Sequence, residues 1–90
     1  MKYVVLYTSA EGLAENAPQH FEAHRAHWRR FLDSGELLEI GPFGDPQSQG
    51  SMAVFNSREA AEQFAKDDPF VLNGVVSSWE LREWDEVLDP

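Results

Sequence analysis

Apolar positions along the chain change period several times, and each change marks an element. Lys2 to Thr8 is rich in β-branched and aromatic residues and predicts a first strand. Both of its faces are apolar, Tyr3, Val5 and Tyr7 on one and Val4 and Leu6 on the other, the pattern of a strand covered on two sides. From Ala17 to Ser34 the spacing turns helical. Pro18 suits a first turn, Gly35 suits the position past the end, and Phe21, Trp28, Phe31 and Leu32 form the apolar stripe. Leu37 to Ile40 predicts a short second strand ended by Gly41-Pro42, and a loop with Gly44, Asp45-Pro46 and Gly50 as turn residues follows. Ser51 to Asn56 predicts a third strand, again apolar on both faces. Ser57 then offers a helix N-cap with Glu59 in the first turn, and Ala60, Ala61, Phe64 and Ala65 give a second stripe of mostly small residues. Pro69 stops that helix at or before Asp68, and Gly74 breaks the following turn. Val75 to Trp84 predicts a fourth strand with Val75, Trp79 and Leu81 on one face.

The order βαββαβ predicts an α+β, ferredoxin-like fold: a four-stranded antiparallel sheet with two helices on one face. Two helices cover only one face, yet the first and third strands are apolar on both. The expected cover for the second face is another copy of the chain, so the pattern predicts a homodimer with sheets packed face to face. The acidic tail, with Asp85, Glu86 and Asp89, is left open between solvent and the partner's surface.

Composition narrows the function classes. Ninety residues fit a single domain over residues 1–90, with a thin core and no room for separate cofactor and substrate domains. A hydrophobic content of 42%, with three tryptophans, two tyrosines and six phenylalanines, is too apolar for a disordered acidic chain. Sixteen acidic against seven basic residues, a net charge of −9, argue against nucleic acid or an anionic membrane as partner. Without cysteine there is no disulfide framework, thiol nucleophile or thiolate metal site. No apolar run reaches the roughly 20 residues of a membrane span, and no signal-peptide pattern opens the chain. A soluble, cytoplasmic protein is the expectation.

The candidate chemistry gathers on the first helix, where His20, His24 and His27 fall within an arc of about 60° beside the apolar stripe. His24 leans furthest into that stripe, and an imidazole there is the natural acid/base near neutral pH. Three readings stand side by side: satisfied histidines at the core rim, a metal site shared by residues one turn apart, and a catalytic base oriented by a carboxylate elsewhere. Asp68, where the second helix ends, is the best carboxylate, because that end can approach the first helix in a split βαβ fold. Asp67 is an alternative that more readily faces solvent, and Asp before Pro is also a common turn former. Gly41, Pro42 and Phe43 form a bend that shapes a pocket rim, with Phe43 as an apolar wall, and it lacks the features of a phosphate loop. Tyr7 can offer a hydroxyl to a pocket or pack in the core. Arg25, Arg29 and Arg30 read as a solvated helix face, and the tryptophans as packing.

In chain order, Tyr3-Val-Val-Leu-Tyr7, His24-Arg-Ala-His-Trp28, Gly35-Glu-Leu-Leu-Glu-Ile-Gly-Pro-Phe43, Asp68-Pro-Phe-Val71 and Gly74-Val75 span nearly the whole sequence. This set resembles the YciI-like (YCII-related) proteins of the dimeric α+β barrel superfamily. The resemblance implies a ferredoxin-like homodimer whose cleft holds a histidine–aspartate pair suspected of acid/base work, falling here on His24 and Asp68. The loop between the second and third strands is shorter than in the bacterial proteins that name the family, which sets the pocket's shape apart. Some members are similar to dehydrochlorinases acting on hydroxylated aromatic rings. The expectation is therefore a cofactor-independent lyase or isomerase with no metal, in which His24 relays a proton, Asp68 orients it, and Tyr7, Gly41, Pro42 and Phe43 contact an aromatic or enolisable small molecule. The alternative is a noncatalytic module that binds or senses a small ligand in the same cleft.

Overall fold

A computed structural model describes residues 1–88; Asp89, part of the acidic tail, lies outside them. The elements are β1 (Lys2–Ser9), α1 (Leu13–Asp33), β2 (Leu37–Pro42), α2 (Pro46–Gln49), β3 (Ser51–Phe55), α3 (Arg58–Asp67), α4 (Pro69–Leu72) and β4 (Val76–Trp84). All pairings are antiparallel and the strand order is β2-β3-β1-β4, the ferredoxin-like arrangement that the βαββαβ pattern predicts. The single-turn helices α2 and α4 are additions that the sequence pattern read as loop and turn. No helix is long and apolar enough, among the described residues, to cross a membrane.

Alternation along the strands divides the apolar residues between two faces. Val5, Tyr7, Ala53 and Phe55 point to the helical side and join Ala60, Ala61, Phe64 and Ala65 of α3 in the core. The three alanines let α3 lie close to the sheet. Phe31 of α1 closes the layer with its edge against the rings of Phe55 and Phe64, at centroid distances of 6.0 and 5.5 Å. Val4, Leu6, Met52 and Val54 lie on the other face. There the register aligns Glu39, Val54, Val4 and Arg82 in one row and Gly41, Met52, Leu6 and Glu80 in the next. The apolar patch is thus narrow and flanked by charge, and Val4 and Val54 are already buried within one chain.

Helix α1 starts a turn earlier than the pattern suggests. Gly12 begins it in a left-handed conformation, the side-chain amide of Gln47 accepts from the Leu13 N–H, and Pro18 sits inside the helix rather than in its first turn. Its buried face is also rotated from the predicted stripe. Phe21 and Leu32 are half exposed, whereas His24 and His27 are buried. With Leu13, Ala17, Trp28 and Phe31 counted among the inward positions, the helix's inner axis runs about 45° from the apolar centre and close to His24. His24 is at the centre of the inner face, His27 is buried to one side of it, and only His20 stays at the border. Strand β2 continues through Gly41 and Pro42 because it is an edge strand, where proline's missing N–H costs no ladder bond.

Candidate active site

The dipeptide Asp68-Pro69 builds the carboxylate's position. Proline disfavours helical backbone at the preceding residue, and Asp68 is extended (φ −64°, ψ 124°), so α3 ends there and α4 begins at Pro69. Asp68 Oδ1 caps α4 by accepting from the Phe70 N–H at 3.0 Å. The same oxygen lies 2.8 Å from His24 Nδ1, and Oδ2 accepts from the Tyr7 hydroxyl at 2.6 Å. Asp68 is fully buried, and three donors surround its carboxylate. Asp67, the alternative, is exposed and takes the Gln63 amide instead.

With Asp68 accepting at Nδ1, His24 carries its proton there and presents Nε2 as a lone pair. Nε2 has no hydrogen-bond partner among the described residues, and no buried side-chain nitrogen or oxygen among them is orphaned, so this atom is accessible. The ring lies flat on Phe70, with centroids 3.8 Å apart and planes within 3°. It borders a cavity of about 380 Å³ between α1 and the sheet. Trp28, Phe21, Phe64 and Phe70 supply aromatic walls, Val5, Ile40 and Ala53 line the sheet side, and Ser9 and Ser51 add hydroxyls. Leu13, Ala17, Phe21 and Pro46 also border a shallower outer depression, and so mark the cavity's outer wall.

Of the residues expected to contact a ligand, Tyr7, Gly41 and Pro42 line the cavity. Phe43 does not; it is 37% exposed, because β2 runs on through Pro42 and carries the next residue past the rim. Tyr7, left open by the sequence between offering its hydroxyl to a pocket and packing in the core, is buried and donates that hydroxyl to Asp68. Sequence reasoning missed Ser51, Phe70 and the depth of Trp28. The Asp-Pro-Phe run could have pointed to Phe70, whereas Ser51 enters only through its register opposite Tyr7.

The remaining histidines have other surroundings. His27 is buried, with Nε2 donating to the Phe64 carbonyl at 2.9 Å and Nδ1 accepting from Arg30 at 3.0 Å, so both nitrogens are occupied. Arg30 thus stays exposed on the helix surface and reaches one turn back to His27. His20 is partly exposed. Among the described residues no three His, Asp or Glu side chains converge as metal ligands do.

The model of the YCII-related domain matches residues 1–85. The chain belongs to the YCII-related domain family. Among solved structures, this YCII-related domain is similar to 5-chloro-2-hydroxyhydroquinone dehydrochlorinase (TftG) from Burkholderia phenoliruptrix AC1100 in complex with 2,5-dihydroxybenzoquinone. The TM-score is 0.74 at 18% identity, covering 94% of each chain. It is also similar to a mutant of MhuD with two manganese protoporphyrin IX molecules bound per active site, with a TM-score of 0.52 at 18% identity, covering 99% of this chain and 96% of that one. These two likenesses establish the fold. No curated protein shows significant sequence similarity to the YCII-related chain.

In this YCII-related domain, burial first, and then the negative charge of Asp68 and the hydrogen bond to it, push the Tyr7 phenol far above the ordinary tyrosine value of 10.0. An unfolded chain loses that proton near pH 10 while the folded one keeps it, so the folded state binds more protons and stability falls as pH rises. Between pH 9 and 11 Tyr7 should cost the wild type about 1 kcal/mol of stability. Urea midpoints of wild type and Tyr7→Phe at the two pH values check this: the variant starts lower, having lost a buried bond to a carboxylate, but declines less.

Proposed function

We propose that this protein is a cofactor-independent lyase or isomerase acting on a hydroxylated aromatic or enolisable small molecule, with His24 as the base and Asp68 orienting it. One observation carries the reading: a buried carboxylate fixes His24 Nδ1–H and leaves Nε2 available on an apolar cavity. On substrate binding, Nε2 takes a proton from a ring hydroxyl or an enolisable carbon, and the imidazolium formed is held against Asp68. For a chlorinated hydroxyaromatic in its keto form, loss of the proton to His24 and of chloride from the neighbouring carbon gives the quinone and one equivalent of HCl, with no external oxidant. The fold likeness to a dehydrochlorinase makes that elimination the first reaction to assay. Tyr7 serves as a donor that positions Asp68, while Gly41 and Pro42 bound the ligand.

The test is chloride release from 5-chloro-2-hydroxyhydroquinone, together with deuterium exchange from solvent into a panel of enolisable phenols and lactones. Wild type should catalyse one of these and His24→Gln should not. Equal rates in the two proteins reject His24 as the base. Saturable ligand binding with no turnover across the panel favours the noncatalytic binding module instead.

The second copy belongs to the same reading. The narrow patch of Val4, Leu6, Met52 and Val54 is the surface on which two sheets would pack, with Glu39, Glu80 and Arg82 around it. Sedimentation should give the mass of two 10.2 kDa chains, and Leu6→Glu should return it to one. A wild-type mass of one chain refutes the pairing.

A further inference from the structure

We infer that the cavity selects neutral hydroxylated aromatic molecules, of one substituted ring or two fused rings, and rejects their carboxylated counterparts. This selection rests on the acid/base reading above and specifies its substrate class.

Size and wall chemistry set the shape of the ligand. An apolar cavity of roughly 150 Å³ is enough for benzene, so about 380 Å³ takes a ring with its substituents or a second fused ring. Trp28, Phe21 and Phe70 present aromatic surfaces suited to a flat molecule.

Charge sets the selection. Among the described residues no lysine, arginine, aspartate or glutamate borders the cavity. The one group on its wall that can become a cation is His24, and the Asp68 carboxylate already faces that ring at 2.8 Å. A neutral phenol that gives its proton to Nε2 leaves the total charge of the cavity unchanged: a phenolate appears as an imidazolium appears. A carboxylate brings a further negative charge that no cation on the wall answers, in an apolar, partly open cavity close to Asp68. The basic residues of α1 do not supply the missing cation. Arg30 is held by His27, and the Arg29 guanidinium lies 5.5 Å from the Trp28 ring centre without bordering the cavity. A net charge of −9 adds a field that disfavours the approach of anions.

The experiment compares 4-hydroxybenzamide with 4-hydroxybenzoate, which match in size and hydroxyl position and differ in charge. Binding is followed at pH 7.5 by calorimetry, and by the indole resonance of Trp28 to tie it to this cavity. The amide should bind at least tenfold more tightly than the benzoate. Ala17→Lys, on the outer wall of the cavity where the new side chain can reach both solvent and ligand, should narrow or reverse that preference. Equal or tighter binding of the benzoate by wild type overturns the proposal, and so does failure of the amide to bind. The two readings fail separately. A benzoate that binds as well as the amide, with deuterium exchange still lost in His24→Gln, rejects the charge selection alone. Exchange that survives His24→Gln rejects the acid/base reading and leaves the charge preference standing.

Discussion

Asp68→Asn is expected to keep the fold and lower turnover by about a hundredfold. Oδ1 receives two donors, His24 Nδ1–H and the Phe70 N–H, so the asparagine carbonyl belongs at that position. The amide NH₂ then replaces Oδ2 and donates to the Tyr7 oxygen, since a hydroxyl can accept as well as donate. His24 therefore keeps its Nδ1 proton and its orientation, and what disappears is the negative charge that supports the imidazolium. A unit charge about 5 Å away, at an effective dielectric constant of about 20, stabilises that cation by roughly 3 kcal/mol, which is a rate factor of about 10². Asp68→Ala should behave differently. It leaves three buried donors without an acceptor and should cost about 3–6 kcal/mol in stability. Steady-state kinetics on a responsive substrate, with urea melts of both variants, separate charge from structure. Wild-type turnover in Asp68→Asn removes the carboxylate's charge from the mechanism.

Gly50→Ala is expected to destabilise the protein by about 3–5 kcal/mol, a large part of the roughly 5–15 kcal/mol that holds a small domain folded. Gly50 is buried at the entrance to β3 with φ +76° and ψ −151°, a conformation that side-chain-bearing residues rarely adopt. A Cβ there would collide with the Tyr7 carbonyl of the neighbouring strand, which is backbone and cannot swing aside. Strain and overlap each contribute about 1–3 kcal/mol. Any relaxation must move β1 at Tyr7, so surviving folded protein should also bind ligand more weakly. A urea midpoint shift equivalent to less than about 1 kcal/mol would contradict this account.

The fold was legible because each element carries a local signal that agrees with its neighbours. Ser57 caps α3 through the Ala60 N–H as its position promised, and the strand residues sort by simple alternation. The inner face of α1 was legible only in part. Phe21 and Leu32 drew the apparent stripe away from the true axis: Phe21 stands at the rim of the cavity rather than in the core, and Leu32 is an exposed apolar side chain that borders no cavity. The burial of His27 could not be read at all. It depends on the Phe64 carbonyl, which accepts the imidazole N–H from a helix 37 residues away in sequence. Likewise, residue spacing could bring Asp68 near α1, but only three-dimensional packing shows that Tyr7, 61 residues away, shares the same carboxylate. Phe43 fell outside the cavity for a local reason, the continuation of an edge strand through a proline.

Asp68 binds a helix end, a strand and the candidate base at once, and one of its partners is a backbone amide. The Phe70 N–H can exchange with deuterated solvent only when the carboxylate releases it. Its exchange rate therefore reads the integrity of the site in the resting protein, before any substrate is known. A ligand that steadies His24 should slow that single amide, which makes hydrogen exchange at Phe70 a screen for ligands that does not depend on guessing the reaction.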